Sequence, residues 1–172
     1  VSAQKAGLTL EDLEREMPRV RELPFESRRK RMTTIHQLKR PLDGASRVAF
    51  VKGAPNEVVR LSDNYRTDGK VMPMSDEMRK SIMDANDGYA ANGLRVLALA
   101  YRPLSPDDAS IPRSMSDYTP ENIECGLTFV GLLVMQEPPR PEVADAVAEC
   151  RRAGIRVVMI TGDYGLTALS IA

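Results

Sequence analysis

Lys52 lies where a lysine side chain could bind an anionic ligand. Residues 47–51 are rich in strand-forming types, and Gly53 and Pro55 end that strand abruptly, so Lys52 marks a strand-to-helix turn. Glycine lacks a Cβ and lets the backbone approach a ligand closely, while proline suits the first turn of a following helix. A solvated lysine at a strand end is the alternative that this stretch alone leaves open.

A second candidate group combines an aromatic ring with positive charge. Phe25 precedes four consecutive cations at positions 28–31. Cations beside an aromatic face are typical of a nucleotide pocket. The alternative is a solvated turn, because four consecutive side chains cannot all point the same way on an extended chain.

A third candidate is the run Thr161-Gly162-Asp163, which follows an apolar stretch at 155–160 and precedes a predicted helix. Ligands of open α/β sheets bind at the carboxyl ends of strands. A threonine hydroxyl and the exposed N–H groups of a helix start suit a phosphate. This run is a weak signal alone, and the other candidate groups in the same chain strengthen it.

The composition limits the classes of partner. Lysine and arginine number 24, as do aspartate and glutamate, so the zero net charge favours neither nucleic acid nor an anionic membrane. Cys125 and Cys150 lack the spacing of a metal or redox motif, and the single histidine, His36, is interpreted as structural. A reducing compartment is the simplest inference. No window reaches the ~18 to 20 apolar residues of a membrane span.

Strands and turns must position these residues in the first part of the chain. The first three predicted strands lie close together and indicate an antiparallel meander, with a turn at 42–46. Residues 64–73 are expected to be a turn-rich connection with a tight corner at Asp68-Gly69, and 103–125 an irregular surface excursion. The predicted strands are 20–25, 32–38, 47–52, 95–102 and 127–135.

Three helices are predicted to flank these strands. Thr9 can cap a short amphipathic helix, Pro55 can begin a second, and Ser75 can cap a longer one that ends at Asn92-Gly93. The predicted buried face of the longest helix consists of Met78, Ile82, Ala85 and Tyr89.

The pattern changes after residues 137–141, where three prolines forbid both helix and sheet pairing and indicate a domain boundary. A helix with an inward apolar face and a buried strand at 155–160 then predict an α/β unit. By local pattern alone, strand 127–135 pairs with strand 155–160. The first and last residues read as cuts through helices, so we expect a fragment of something longer.

Five stretches of the chain resemble the P-type ATPases, the cation pumps that pass through an aspartyl-phosphate. In family order they are LPFESRRKRM, FVKGAPNEVV, GLRVLALAYR, LTFVGLLVMQEPPRPEV and AGIRVVMITGDYGLTALSIA. The motifs are most similar to the calcium, sodium or proton pumps. The resemblance implies an α/β chain of the α+β type. An antiparallel sheet flanked by helices would form the nucleotide-binding domain at 1–136 and include strand 127–135. A hinge at 137–140 and a fragment of a haloacid-dehalogenase-like α/β phosphorylation domain at 141–172 would follow.

The resemblance also implies roles for single residues. Phe25 would stack on adenine, with Lys30 and Lys52 in the same pocket, and Arg95 would reach ribose or phosphate oxygens. The implied ATP-binding residues are Phe25, Lys30, Lys52, Gly53, Ala54, Arg95 and Arg140. The implied contacts to the transferred phosphoryl group are Thr161, Gly162 and Asp163.

Motifs that the family needs for catalysis do not occur in this sequence. The phosphorylated aspartate of DKTGT and the magnesium-binding GDGxND pattern are absent, so we expect the chain to bind ATP without hydrolysing it. The Mg²⁺ ligands and the actuator, transmembrane and remaining phosphorylation domains would belong to the same parent chain. The resemblance thus implies a cytoplasmic domain of an integral membrane protein, without direct contact to nucleic acid or membrane.

Two other functions stay open beside ATP delivery in a cation pump. One is a non-catalytic nucleotide-sensing or interaction domain with the same fold. The other, a free-standing haloacid-dehalogenase phosphatase, is disfavoured because only one of that fold's strand-end motifs is present. Glu137 stands where many relatives have Asp, and Ser27 where some have Arg, so both are departures close to the expected pocket.

Overall fold

The computed structural model of the protein describes residues 2–136, 140–162 and 164–171. The strands are β1 (Arg19–Glu26), β2 (Arg31–Leu42), β3 (Ala45–Gly53), β4 (Ser62–Thr67), β5 (Lys70–Pro73), β6 (Arg95–Pro103) and β7 (Leu127–Met135). The helices are α1 (Ser2–Lys5), α2 (Leu10–Glu16), α3 (Pro55–Arg60), α4 (Asp76–Ala91), α5 (Pro120–Ile123), α6 (Val143–Arg152) and α7 (Gly165–Ile171). None of these helices has the length and hydropathy needed to cross a bilayer.

The seven strands form one sheet in the order β1-β2-β3-β6-β7-β4-β5. All neighbours are antiparallel except β4 and β7, which are parallel. The predicted α+β class, a sheet flanked by helices, is confirmed. Because β7 pairs with β6 and β4, the local prediction that it pairs with residues 155–160 is wrong, and the expectation from the family resemblance is right.

The first three strands form the predicted antiparallel meander. A two-residue turn joins β2 to β3, and its residues Asp43 and Gly44 have φ values of 49° and 80°. Positive φ at both positions is the backbone of the hairpin turn that Asp-Gly favours. At the other end of the same hairpin, Arg31 pairs with Gly53. The pairing shifts register between Gln37 and Leu42, so the turn and this irregularity together bring the end of β3 beside the start of β2.

The sequence predicts a turn-rich connection at residues 64–73, and this segment contains strand structure as well as the turn. The tight corner at Asp68-Gly69 is present, with φ values of 47° and 77°. The residues on either side of it are strands β4 and β5, which pair with each other at one edge of the sheet. The sequence pattern for a strand is weak in this segment, because a strand at the exposed edge of a sheet does not require alternating apolar residues.

The predicted helix starts are confirmed. Thr9 Oγ1 accepts a hydrogen bond from the Asp12 N–H at 3.2 Å, and Ser75 Oγ accepts one from the Met78 N–H at 3.2 Å. Pro55 is the first residue of α3. Each cap pairs an N–H group that the helix itself cannot pair.

The face of α4 that packs on the sheet differs in part from the predicted one. Ala85 and Tyr89 are exposed, and Asn86 is buried in their place. Positions 82, 86 and 90 follow the four-residue spacing of one helix face. Because the buried residue at position 86 is a polar asparagine, the apolar spacing in the sequence favours the adjacent helix face, which includes Ala85 and Tyr89. The core beneath α3 and α4 contains Val51, Val58, Val59, Ile82, Ala98, Ala100, Leu127 and Phe129.

Residues 103–125 are mostly irregular, as predicted, but they also cover one part of the sheet. Three apolar side chains of this segment are buried against the meander formed by β1, β2 and β3. These side chains are Leu104, Tyr118 and Ile123. The segment therefore contributes to the core and is more than a surface excursion.

The α/β unit predicted after residue 141 is not formed as expected. Residues 155–160 are irregular instead of a buried strand, and Ile160 is 93% exposed. A strand needs partners for its N–H and C=O groups, and none of the described strands pairs with this segment. Helix α6 is present but has no buried residue, so its predicted inward face is wrong. A haloacid-dehalogenase-like fragment is therefore not confirmed.

Arg102 and Asp108 form an ion pair with a distance of 2.8 Å between Nη2 and Oδ2. This pair should make the free energy of unfolding fall at acidic pH. Hydrogen bonds from Ser110 and Arg102 hold the pKa of Asp108 at about 2, below its ordinary value of 3.8. A lowered folded-state pKa contributes stability above the unfolded value, and this stability is lost as pH falls toward 2. Asp108→Asn should therefore lower the unfolding free energy at neutral pH by about 1 kcal/mol. It should also reduce the decrease in unfolding free energy that the wild type shows below about pH 4.

Urea unfolding at a series of pH values measures this effect. Asp107→Asn is the control, because it removes the same charge from the neighbouring exposed residue. If Asp108→Asn and the wild type lose stability in parallel below pH 4, the pair does not stabilise the fold in this way.

Candidate functional site

A cleft of about 870 Å³ opens where β1 and β3 end and β6 begins. Small-molecule sites in proteins have volumes of about 300 to 1,000 Å³. The cleft brings together residues that lie far apart in the sequence. The predicted site residues that line it are Phe25, Lys30, Ala54, Arg95, Thr161 and Gly162.

Phe25 lies near the end of β1, on the wall of this cleft. It is 62% exposed, so a large part of the ring is accessible. The register of β1 against β2 shifts between Leu23 and Glu26, and a bulge of this kind re-aims the side chains of the bulged strand. An accessible aromatic ring in a cleft can stack on a flat ligand.

Lys30 reaches the cleft from the turn between β1 and β2. Its φ of 52° lies in the left-handed region. The Lys30 N–H donates to the Glu26 carbonyl at 2.7 Å, and the Ala54 N–H donates to the Lys30 carbonyl at 2.9 Å. These backbone bonds hold the turn against the start of α3, so that a cation and the first residues of a helix share one corner of the cleft.

Gly53 has a structural reason to lack a side chain. A Cβ at this position would lie 2.5 Å from the Arg31 Cβ and 2.6 Å from the Lys30 carbonyl oxygen. Glycine is therefore required for β2 and β3 to approach at this end. Gly53 is buried and does not line the cleft, whereas Ala54 does. Contact between Gly53 and a purine stays a prediction.

Lys52 does not line the main cleft. It borders a second cleft of about 410 Å³, together with Met32, Phe50 and Leu99. Leu97 lines the first cleft and Leu99 the second. Residues two apart on a strand face the same side, roughly 7 Å from each other. The two clefts therefore lie next to each other along β6.

Another wall of the main cleft is formed by Thr161, Gly162, Tyr164, Gly165 and Thr167. The Tyr164 hydroxyl donates to the Asp87 carboxylate at 3.0 Å, and the Thr167 hydroxyl donates to the Leu94 carbonyl at 3.1 Å. The bond to Asp87 raises the pKa of the Tyr164 phenol. These contacts hold the segment that carries the predicted phosphate-binding residues against α4 and the start of β6.

Two predicted site residues are not part of this arrangement. Arg140 is exposed and does not line either cleft. Asp163 lies outside the described residues, as do hinge residues 137–139. The roles of Arg140 and Asp163 stay predictions.

Sequence reasoning missed two polar residues at or behind the site. Asn86 of α4 is 3% exposed and lines the cleft. Glu124 is buried behind the basic turn, where it accepts hydrogen bonds from Arg29 and Arg31. The one signal for Glu124 is its position three residues before the start of β7, because an acid close to a core strand needs a partner.

The chain is similar to known proteins over most of its length. The family model for the cytoplasmic domain N of P-type ATPases matches residues 1–142. The calcium-transporting ATPase 1 of Lactococcus lactis is 36% identical over 170 residues, which cover 99% of this chain and 18% of that protein. The sodium/potassium-transporting ATPase subunit alpha-2 of Gallus gallus is 37% identical over 157 residues, which cover 90% and 15%. The chain thus spans less than a fifth of the length of these relatives.

Gly53→Ala should destabilise the protein, because the added Cβ would collide with the backbone of β2. We expect the unfolding free energy in urea to fall by roughly 2 to 3 kcal/mol. Gly131→Ala is the matched control, since Gly131 also lies in a strand and an added Cβ there would meet nothing within 4 Å. Equal losses in the two variants would contradict a steric requirement at position 53.

Proposed function

The chain belongs to the P-type ATPase family as a cytoplasmic domain N, and we propose that it binds ATP in the main cleft. The joint position of Phe25, Lys30 and Arg95 on one cleft of nucleotide size carries this proposal. An aromatic ring, two cations and helix-start backbone are the groups that a base with a phosphate tail requires. The residue assignments taken from the resemblance are part of the proposal.

The adenine base stacks on the accessible ring of Phe25. Stacking of a base on an aromatic side chain contributes ~1 to 3 kcal/mol and needs an open ring face, in keeping with the 62% exposure of Phe25. Val96 and Leu97 line the same cleft and supply apolar surface for the base. One stack with few polar contacts gives modest affinity, which suits a domain that must deliver ATP and release it.

The phosphate tail is attracted by Lys30 and Arg95. The chain has no net charge, so any attraction for an anion must come from local cations. Lys52 borders the neighbouring cleft along β6, and its long flexible side chain can extend toward the bound nucleotide. We assign it to the same ligand for this reason.

The outer phosphate is directed toward residues 161–163. The Thr161 hydroxyl and the Gly162 N–H are donors of the kind that hold phosphate oxygens, and both residues line the cleft. In this proposal Asp163 completes the motif, and Arg140 acts at the hinge.

In the parent protein the domain delivers ATP to an aspartate outside this chain. The similar proteins are named as transporters of calcium or of sodium and potassium, and we propose a cation pump as the parent. Its phosphorylation, actuator and transmembrane domains are the expected partners. Among the residues with described positions, no group of three or more His, Cys, Asp or Glu side chains could hold a metal ion. These residues do not fit a Mg²⁺ site, and no step proposed for this chain passes through the metal.

Phe25→Ala should weaken ATP binding by about tenfold or more, because the stack on the base is lost. Chemical shifts of the Lys30 and Arg95 amides, followed by NMR during an ATP titration, measure the affinity. Val20→Ala is the control, because Val20 lies on the same strand, is 41% exposed and does not line the cleft.

Two outcomes would count against this proposal. Spectra of the wild type that do not change at millimolar ATP would reject nucleotide binding. A response that is as strong in Phe25→Ala as in the wild type would reject stacking on this ring.

The chain alone should release no phosphate from ATP or from p-nitrophenyl phosphate. In-line phosphoryl transfer needs a nucleophile and a metal clamp, and the sequence lacks the DKTGT and GDGxND motifs that supply them in this family. Phosphate and p-nitrophenol assays measure turnover, with Thr161→Ala as the reference. Turnover by the wild type above that of Thr161→Ala would favour a haloacid-dehalogenase phosphatase.

A further inference from the structure

Glu124 is a buried ionisable residue that the proposed contacts to ATP do not use. It lies between α5 and β7, and its side chain is 0% exposed. A buried carboxylate is tolerated only when other groups compensate its charge and fill its hydrogen-bonding capacity. The groups that do so here come from the turn and strand on either side of Lys30.

Three side chains compensate the Glu124 carboxylate. Arg29 Nη1 donates to its two oxygens at 2.6 and 2.8 Å, Arg31 Nε donates to Oε2 at 2.6 Å, and the Thr33 hydroxyl donates to Oε1 at 2.7 Å. The two arginine side chains are 14% and 11% exposed. Burial by itself lowers the pKa of Arg29, but hydrogen bonds with Glu124 and Glu26 more than offset this and raise it.

Lys30 lies between the two arginines in the sequence, but its side chain lines the main cleft. Arg31 Nη1 also donates to the Arg29 carbonyl at 3.1 Å, and Arg29 Nη2 donates to the Pro24 carbonyl at 2.7 Å. The same guanidinium groups thus bind Glu124 and the backbone of the turn. Left-handed φ is disfavoured for a residue with a side chain, and here it directs Lys30 into the cleft while its neighbours bind Glu124.

We propose that Glu124 is a positioning residue for ATP recognition. Its bonds to Arg29 and Arg31 hold the turn in the shape that presents Lys30 to the phosphate tail. This inference rests on the proposed function. Glu124 does not line either cleft, so we infer that it acts on ATP affinity through Lys30.

A double-mutant cycle on ATP affinity tests this dependence. Glu124→Gln keeps the side-chain shape but removes the charge, and we expect about tenfold weaker binding in the otherwise wild-type chain. In a Lys30→Ala background the same change should weaken ATP binding by less than about twofold, because the lysine that Glu124 positions is absent. Glu121→Gln changes an exposed acid of α5 and should leave the affinity unchanged.

A merely structural role for Glu124 makes a different prediction. It would weaken binding by the same factor in both backgrounds, and that result would overturn the proposal. An affinity of Glu124→Gln that matches the wild type would also overturn it. Failure of the wild-type chain to bind ATP would instead reject the proposed function itself.

Amide hydrogen exchange without nucleotide provides an independent readout. The N–H groups of Lys30 and Ala54 close the turn, and Glu124→Gln should speed their exchange by about tenfold or more, while amides in the middle of α4 keep their protection. Unchanged protection at both positions would overturn the positioning role whether or not ATP binds.

Thr33→Val is the milder variant, to be used if Glu124→Gln does not fold. It keeps the branched shape and removes only the hydroxyl that donates to Glu124. We expect about threefold weaker ATP binding in the otherwise wild-type chain and no further loss in the Lys30→Ala background. Equal losses in both backgrounds would overturn the proposal here as well.

Discussion

The close pairing of β2 with β3 at Arg31 and Gly53 is the constraint on which the main cleft depends. The two backbones approach so closely that a Cβ on Gly53 would lie 2.6 Å from the Lys30 carbonyl oxygen. The same carbonyl accepts the Ala54 N–H at 2.9 Å. The strand end, the turn and the helix start therefore form one corner. Backbone contacts form this corner, so its shape is preorganised for the proposed ligand.

The four cations at 28–31 have different surroundings. Arg28 is exposed, Arg29 and Arg31 neutralise the buried Glu124, and Lys30 lines the cleft. Removing one partner of a buried ion pair leaves an uncompensated charge, so Glu124 and the arginines depend on each other. A chain without net charge can in this way keep a cation available to an anionic ligand.

Most secondary structure could be predicted from the sequence because its signals are local. The caps at Thr9 and Ser75 and the Asp43-Gly44 turn each depend on residues within one helical turn or one hairpin loop. The wrong predictions concern burial. Asn86 belongs to the buried face of α4 although it is polar, and residues 155–160 are apolar but exposed. Burial depends on which surfaces meet, and an apolar run does not contain its own partner.

The α+β class, the family and the residue types of the candidate site could be predicted from the sequence, because local motifs in the order typical of the family carry them. The positions of Phe25, Lys30 and Arg95 on one cleft, with Lys52 on the next, follow from the folded structure alone. Strand register and bulges set the direction of each side chain, and a shift of one residue reverses its face. The partner of a buried charge is equally non-local, since Glu124 lies 93 positions from Arg31.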